Sequence, residues 1–401
     1  MKILHTSDWH LGHRLREHSQ YYEQEKFLQW LIDFIRKEDI DVLLVSGDVY
    51  DTGYPSTQSQ DLFYGFLAKL HSDTNCKKVI MTAGNHDAPG TLNAPDHFMR
   101  NFNIRLVGKA SENPEDEILK FDIKDEKLTV AAVPFLRDRD IRRAIAGEDA
   151  IEIENRYKIA LKKHYDDIAD IIKNDNDTFK IAMGHLFAVD GQTSESENRI
   201  YVGGLGDISA EDFPTLFDYI ALGHLHRPQK VGGKEHIRYS GSPYPLSFDE
   251  AKSKKKVILI KTTNNKLTSI DEIEIPVFRK LYTIKGSLEN SIKQIEDIAK
   301  QKHETEPWIE VTLDEEGTTS NDYLRIYDAI KALNVKVLNV KREGYTQVAD
   351  ITDILEEDKQ LKELKPEDIF KRKCEEENFD LNKNKEILDA FYEVLNDIGT
   401  G

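Results

Sequence analysis

The chain is poor in sulfur: among 401 residues there are only two cysteines, Cys76 and Cys374, far apart and in unrelated surroundings. Two such residues cannot build a disulfide framework, and a reducing cytoplasm fits them. Long apolar runs are missing as well. No segment approaches the length that crosses a bilayer, so no membrane association is expected. The start, Met1-Lys2-Ile3-Leu4-His5, reads as a strand rather than as a signal peptide. Internal repeats are absent, and the only low-complexity tract is Lys252 to Lys256. Positive charge is scarce: 55 Lys and Arg face 73 Asp and Glu, for a formal net charge of −18. That balance argues against a freestanding nucleic-acid binder that relies on counterion release. If the substrate is a polyanion, metal ions, local basic patches or a partner protein must offset the field. The local patches are Arg14 and Arg16, the run Arg137, Arg139, Arg142 and Arg143, and Lys252 with Lys254-Lys255-Lys256.

What is present describes a globular chain: 39% hydrophobic and 32% charged residues, long enough for two or three domains with a sizeable core. Its most telling feature is a set of five short polar loops. Asp8-Trp9-His10-Leu11-Gly12, Gly47-Asp48-Val49-Tyr50-Asp51, Gly84-Asn85-His86-Asp87, Gly184-His185 and Gly223-His224-Leu225-His226 each follow a short apolar or β-branched run. Such runs are strand candidates, so the loops form the rim of a sheet.

The first part alternates strand and helix. The apolar spacing of Phe27, Trp30, Leu31, Phe34 and Ile35 predicts a helix over 21–37. Ser56-Thr57 can cap a second helix that carries Leu62, Phe63, Phe66, Leu67 and Leu70. Val42 to Val45 and Val79 to Thr82 read as strands buried on both faces. From Ile104 to Ser240 strands dominate (Leu128–Val133, Phe179–Met183, Tyr219–Leu222, His236–Tyr239), with one long helix from about Ile151 to Lys173. Lys256–Ile260 and Ile270–Ile275 read as a hairpin around Thr262-Thr263-Asn264-Asn265. The expected architecture is therefore an α/β layered sandwich, with a domain over 1–275 that ends at Pro276. A smaller α/β unit occupies 276–345, with strands Arg279–Ile284, Trp308–Leu313 and Val335–Val340. A charged helical segment fills 346–401, with helices over Pro366–Glu377 and Asn382–Ile398. These last helices either fold back or dock another chain.

Two divalent cations held side by side need a shared carboxylate and a surrounding mix of oxygen and nitrogen donors. Asp8 and His10 lie two apart and reach a common point; Asp48 is the natural bridge; Asn85 offers a neutral carbonyl oxygen; His185, His224 and His226 complete the spheres. Mixed imidazole and carboxylate donors without thiolate point to Mn²⁺, Fe²⁺, Zn²⁺ or Mg²⁺, with manganese preferred. His86 follows a ligand but need not be one. Its role is to give a proton or hydrogen bond to the leaving oxygen, oriented by Asp51 or Asp87. Taken singly these motifs mean little, since Asp-x-His and Gly-His recur by chance; five together, each after a strand, do not. His5 is read as a strand residue, and His18, His71, His97, His164, His236 and His303 as surface or structural. His13 lies closer to the cluster, where the bland reading outweighs substrate contact. The arginine run is interleaved with Asp138 and Asp140 and reads as a solvated helix end.

With those residues in place, the chain resembles the calcineurin-like metallophosphoesterases. Their sequence of Asp-x-His, Gly-Asp-x-x-Asp, Gly-Asn-His-Asp, a later His and Gly-His-x-His is complete here. Within them it is similar to the SbcD-like bacterial nucleases. Asp8-Trp9-His10-Leu11-Gly12, Gly47-Asp48-Val49-Tyr50-Asp51-Thr52-Gly53, Tyr239-Ser240-Gly241-Ser242-Pro243 and Leu246-Ser247-Phe248 carry that likeness. The resemblance implies an α-β-β-α sandwich and one metal held by Asp8, His10, Asp48 and His226. The other is held by Asp48, Asn85, His185 and His224, with His86 as the catalytic histidine. It also implies a homodimer acting on DNA, as double-strand exonuclease and as endonuclease on single strands and hairpins. The 276–345 unit is implied as a cap over DNA, and the C-terminal helices as the docking point for an SbcC-like ATPase. Two other readings stand beside it: a phosphoesterase of phosphoproteins or small phosphate esters, and a non-catalytic scaffold on the same fold.

Overall fold

Alternation along the buried strands places two sheets face to face. The computed structural model describes residues 1–137, 140, 150–188, 208–314 and 320–342. In the first sheet, Lys2–Thr6, Val42–Ser46, Lys78–Thr82 and Ile104–Val107 run parallel, in that lateral order. The hairpin Lys256–Thr263 and Lys266–Glu274 extends it antiparallel beside Lys2–Thr6. Asn264 and Asn265 turn that hairpin with positive φ (53° and 60°), the backbone a two-residue turn between twisted strands demands. In the second sheet, Glu126–Ala132, Phe179–His185, Tyr219–Gly223 and Lys234–Tyr239 run parallel, and Ile118–Ile123 and Gln229–Val231 close the two edges antiparallel.

Successive side chains on a strand face opposite ways, and the packing follows that period. Val42 and Leu44 point into the layer between the sheets with Ile80, Val130, Ile181, Met183 and Ala221. Leu43 and Val45 point outward, under Phe27, Leu31 and Ile35 of helix Tyr21–Glu38 and Phe63 and Phe66 of helix Thr57–Asp73. On the far side Ala131, Ala182 and Ile220 meet Leu161, Tyr165 and Ile168 of helix Ala150–Ile172. The result is the α-β-β-α sandwich. Ser56 caps the second helix, its hydroxyl accepting from the Ser59 amide at 3.2 Å.

Periodicity did not reveal strand Ile118–Ile123. It is a half-exposed edge with Lys120 and Asp122 facing out, so its apolar signal is thin. The small sheet orders Leu281–Gly286, Trp308–Leu313 and Lys336–Arg342, the first pair parallel, and packs Ile284, Val311 and Val337 under helices Leu288–Ala299 and Ser320–Ile330. It belongs with the sandwich to one unit, Met1–Val340. The seam between them holds Leu15, Phe248 and Trp308, the ion pair Arg16–Glu310 at 3.1 Å, and Arg279, which pairs with buried Glu23 and stacks 4.4 Å above the Trp308 ring. The C-terminal helices expected over 366–377 and 382–398 lie outside the described residues. No helix among the described residues is long and apolar enough to cross a membrane.

Candidate active site

Parallel strands bring their carboxyl ends to one rim, which is where an α/β sheet binds ligands. All five loops leave strands at that rim, after Thr6, Ser46 and Thr82 of the first sheet and from His185 and Gly223 of the second. Ser46 Oγ ties the two rims together by donating to the Ala221 carbonyl at 3.0 Å.

The backbone at the rim is strained. Asp8 (φ 52°), His10 (43°), Asp48 (49°) and His224 (105°) all sit at positive φ, which costs a side-chain-bearing residue about 1–3 kcal/mol. Strain of this kind persists only where packing over-determines it, and it concentrates at functional sites. Gly47 has φ +83°, and a Cβ there would meet His185 Nδ1 at 2.1 Å; a Cβ at Gly223 would meet the Ser46 carbonyl oxygen at 1.7 Å. The two loops approach each other closely because neither residue has a side chain.

Within this rim the structure brings together every residue of the expected cluster. Asp8, His10 and His226 present atoms to one point, as do Asp8, Asp48 and His185, and His10, Asp48 and His86. Asp48 Oδ2 lies 3.5 Å from His10 Nε2 and 3.2 Å from His185 Nε2, between the two groups. Asn85 Oδ1 lies 2.9 Å from His185 Nε2 and 3.0 Å from His224 Nδ1. The His185 Nδ1–H donates to the Ser46 carbonyl at 3.0 Å, which leaves Nε2 as the nitrogen that faces Asp48.

These donors fit a divalent cation. Asp8 and Asp48 are fully buried carboxylates, and both ring nitrogens of buried His10 lack a hydrogen-bond partner. Nδ1 of His10 lies 3.2 Å from Asp51 Oδ1 without hydrogen-bond alignment. Burial alone would lower the His10 pKa; Asp51, Asp48 and Asp8 outweigh it and push it up to about 9. His185 behaves likewise: burial lowers it, Asp48 and Asp8 raise it further, and it too reaches about 9. For Asp48, burial acts upward, but His185 and His10 hold the carboxyl well below the usual range. Asp8 is raised, by burial first. His224, buried beside His185, falls to about 3 and is neutral at physiological pH.

His86 stands beside the cluster. Its amide donates to Asp48 Oδ1 at 2.9 Å, its ring centre lies 4.8 Å from that of His10, and Nδ1 contacts the Asp51 backbone carbonyl at 2.8 Å. Asp51 thus meets His86 through its main chain and His10 through its carboxylate. Asp87, the other candidate for orienting His86, instead accepts from the Gly84, Val49 and Tyr50 amides at 2.8, 3.1 and 2.9 Å and fastens two loops to each other.

Several surrounding groups escaped the sequence reading. Glu250 is fully buried; Ser247 Oγ donates to its Oε1 at 2.9 Å, and that atom lies 3.5 Å from His226 Nδ1. Lys255 is buried in turn, donating to Glu250 Oε2 at 2.6 Å, Ser242 Oγ at 2.8 Å and the His226 carbonyl at 3.0 Å. A lysine run offered no signal that one member points inward. Its neighbours Lys254 and Lys256 pair with Glu274 and Glu272. Arg137 donates to the Asp87 carbonyl at 3.0 Å, with its guanidinium 5.7 Å from the Phe135 ring centre. Arg139, Arg142 and Arg143 lie outside the described residues. His13 is half-buried and bonded to Gln20 Oε1 at 2.7 Å, and His164 pairs with buried Glu117 at 2.8 Å.

Residues 1–228 match the family of calcineurin-like phosphoesterases, and residues 277–378 match the type 5 capsule protein repressor C-terminal domain. Over 404 aligned residues the chain is 34% identical to SbcD of the Escherichia coli nuclease SbcCD, covering 98% of each. The chain belongs to the SbcD nuclease family. The Bacillus subtilis member, likewise SbcD of a nuclease SbcCD, is 27% identical over 403 residues, covering 99% of this chain and 98% of that one. As a calcineurin-like phosphoesterase of the SbcD family, the chain is a hydrolytic enzyme that binds divalent metal.

Proposed function

We propose that the chain is the nuclease component of an SbcCD-type complex and hydrolyses DNA phosphodiester bonds with two Mn²⁺ ions. The observation that carries this reading is the convergence of three carboxylate and imidazole groups on one rim, with His86 beside them and Asp48 between them. One ion would be held by Asp8, His10, Asp48 and His226, the other by Asp48, Asn85, His185 and His224. When bound, the ions supply Lewis-acid polarisation of the phosphate and a water-derived nucleophile at neutral pH. Donor chemistry supports manganese: imidazole with carboxylate and amide oxygen, and no thiolate.

The chain's own groups do the rest. His86 places its Nδ1–H on the Asp51 carbonyl, so it is the Nε2–H of the doubly protonated ring that would pass to the departing oxygen, leaving the neutral Nδ1–H imidazole. The Asp51 carboxylate contributes as a charge partner 3.2 Å from His10 Nδ1. In this reading residues 1–275 are the nuclease, 276–345 cap the DNA, and 346–401 dock an SbcC-like ATPase, with two copies forming a homodimer. The match of 277–378 to a domain family of its own supports the boundary at Pro276. A partner that carries DNA affinity reconciles a DNA substrate with the net charge of −18. Cytoplasmic residence is supported by a cysteine content, two in 401 residues, too low for a disulfide framework.

The test sets the purified protein with Mn²⁺ on double-stranded, single-stranded and hairpin DNA alongside a small phosphate ester, with His86→Ala and Asp48→Ala as controls. Cleavage of DNA that both substitutions abolish supports the reading. No DNA cleavage even with the ATPase present sinks it, and leaves ester hydrolysis to mark a phosphatase, or no hydrolysis to mark a scaffold.

A further inference from the structure

The two proposed metal positions share Asp48 and have two imidazoles each, with Asp8 completing one and Asn85 the other, and they differ in what stands behind the imidazoles. His185, on the second sheet, gives its Nδ1–H to a neutral main-chain carbonyl, that of Ser46 at 3.0 Å. His226, on the loop that follows strand Tyr219–Gly223 of the same sheet, faces a carboxylate: Glu250 Oε1 lies 3.5 Å from its Nδ1. That carboxylate is itself fixed. Ser247 Oγ donates to Oε1 at 2.9 Å, and Lys255 and Ser242 donate to Oε2 at 2.6 and 3.3 Å. Lys255 Nζ also reaches the His226 carbonyl at 3.0 Å, so the pair grips this residue by ring and by main chain. Nothing in the proposed chemistry uses Glu250 or Lys255, yet both are buried, and burying an ion pair stabilises a fold no better than apolar residues of the same size. A fixed charge pair kept at such a place calls for a role beyond stability.

We propose that the buried Glu250–Lys255 pair positions His226, and so selectively sustains the metal held by Asp8, His10 and His226 while leaving the other to the neutral Ser46–His185 contact. The carboxylate fixes the imidazole tautomer with Nδ1–H toward Glu250, aims Nε2 at the site, and raises its basicity. A carboxylate behind a ligand imidazole typically sustains affinity by about 10–100-fold. The inference rests on the two-metal reading above, and concerns which of the two ions depends on which support.

The test compares wild type with Glu250→Ala and with the double variant Glu250→Gln/Lys255→Met. The second removes both charges together in nearly the same volume, so no buried charge is stranded and the fold survives; a thermal melt of each checks this. Calorimetric titration with Mn²⁺ counts ions and affinities, and electron paramagnetic resonance distinguishes a spin-coupled Mn²⁺ pair from a lone ion. The expected result is two ions in wild type. In the double variant one step weakens by about 10–100-fold, the other is unchanged, and a lone-ion signal appears at sub-saturating metal. A double variant that melts like wild type and binds two ions with unchanged affinities overturns the inference, as does equal weakening of both steps. Failure of wild type itself to bind two ions is a different outcome: it overturns the two-metal reading, and this inference with it.

Discussion

The Nδ1 atom of His86 lies 2.8 Å from the backbone carbonyl of Asp51. A main-chain acceptor cannot be removed by substitution, so the tautomer of His86 is held by the loop itself while Nε2 stays available. The amide of the same residue donates to Asp48. Replacing the ring therefore leaves the amide contact and the metal donors in place. His86→Ala should bind metal like wild type and lose about 10²–10⁴ in kcat, the usual contribution of a positioned proton donor. Metal content and single-turnover rates measured on one preparation check this. Metal loss in the variant would assign His86 to the ligands instead.

Asp48 stands between both groups of donors, with Oδ2 within 3.5 Å of His10 and 3.2 Å of His185. Asp48→Asn should lower the affinity for both ions, whereas His224→Ala should weaken one step only. Titration with Mn²⁺ on each variant distinguishes a shared carboxylate from a private one.

Metal uptake should be coupled to protons. In the metal-free chain His10 and His185 each titrate near 9, above the ordinary histidine value. Both rings therefore hold a proton at neutral pH, and a cation must displace it. Apparent affinity should rise with pH from about 6 to 9 and then level off, with up to two protons released per chain at pH 7. For the metal-free fold the sign is opposite. A raised histidine pKa contributes stability below about 6.5 that is lost as pH climbs through 9. Calorimetry in buffers of different ionisation enthalpy reads the first effect, and melting temperature against pH reads the second.

Asp87 satisfies three buried amides, those of Gly84, Val49 and Tyr50. Asp87→Ala leaves them without a partner, each worth about 1–3 kcal/mol. It should destabilise the protein by several kcal/mol and displace Asn85 and His86, lowering activity even at saturating metal. Chemical denaturation gives the stability change, and kcat at saturating Mn²⁺ gives the other half.

The seam between sandwich and small sheet hangs on Arg279, paired with Glu23 and stacked over Trp308. Arg279→Ala strands a buried carboxylate and should cost about 3–5 kcal/mol. Glu23→Gln/Arg279→Met, which strands nothing, should recover most of that in a denaturant melt.

Much of this molecule was legible in the chain because its periodicities are strong. Val42 to Val45 reads as a strand buried on both faces, and that strand supplies Val42 and Leu44 to one core and Leu43 and Val45 to another. The polar loops were equally plain, since residue type names a candidate donor. Edge strand Ile118–Ile123 was not, because half its residues face water. Glu250 and Lys255 were hidden by composition: a charged run looks solvated until tertiary packing closes over one member.

The sequence by itself determined the sandwich, the order of the loops and the kinds of donor they carry, because these depend on local pattern and residue chemistry. Only the tertiary structure decided how those donors are held. Main-chain carbonyls of Ser46 and Asp51 orient His185 and His86, three amides bind Asp87, and a buried ion pair backs His226. The contacts of Asp51 with His86 and of Ser46 with His185 join residues 35 and 139 positions apart in the chain, so no local pattern encodes them. They exist only once two sheets meet at one rim and water is gone from between them.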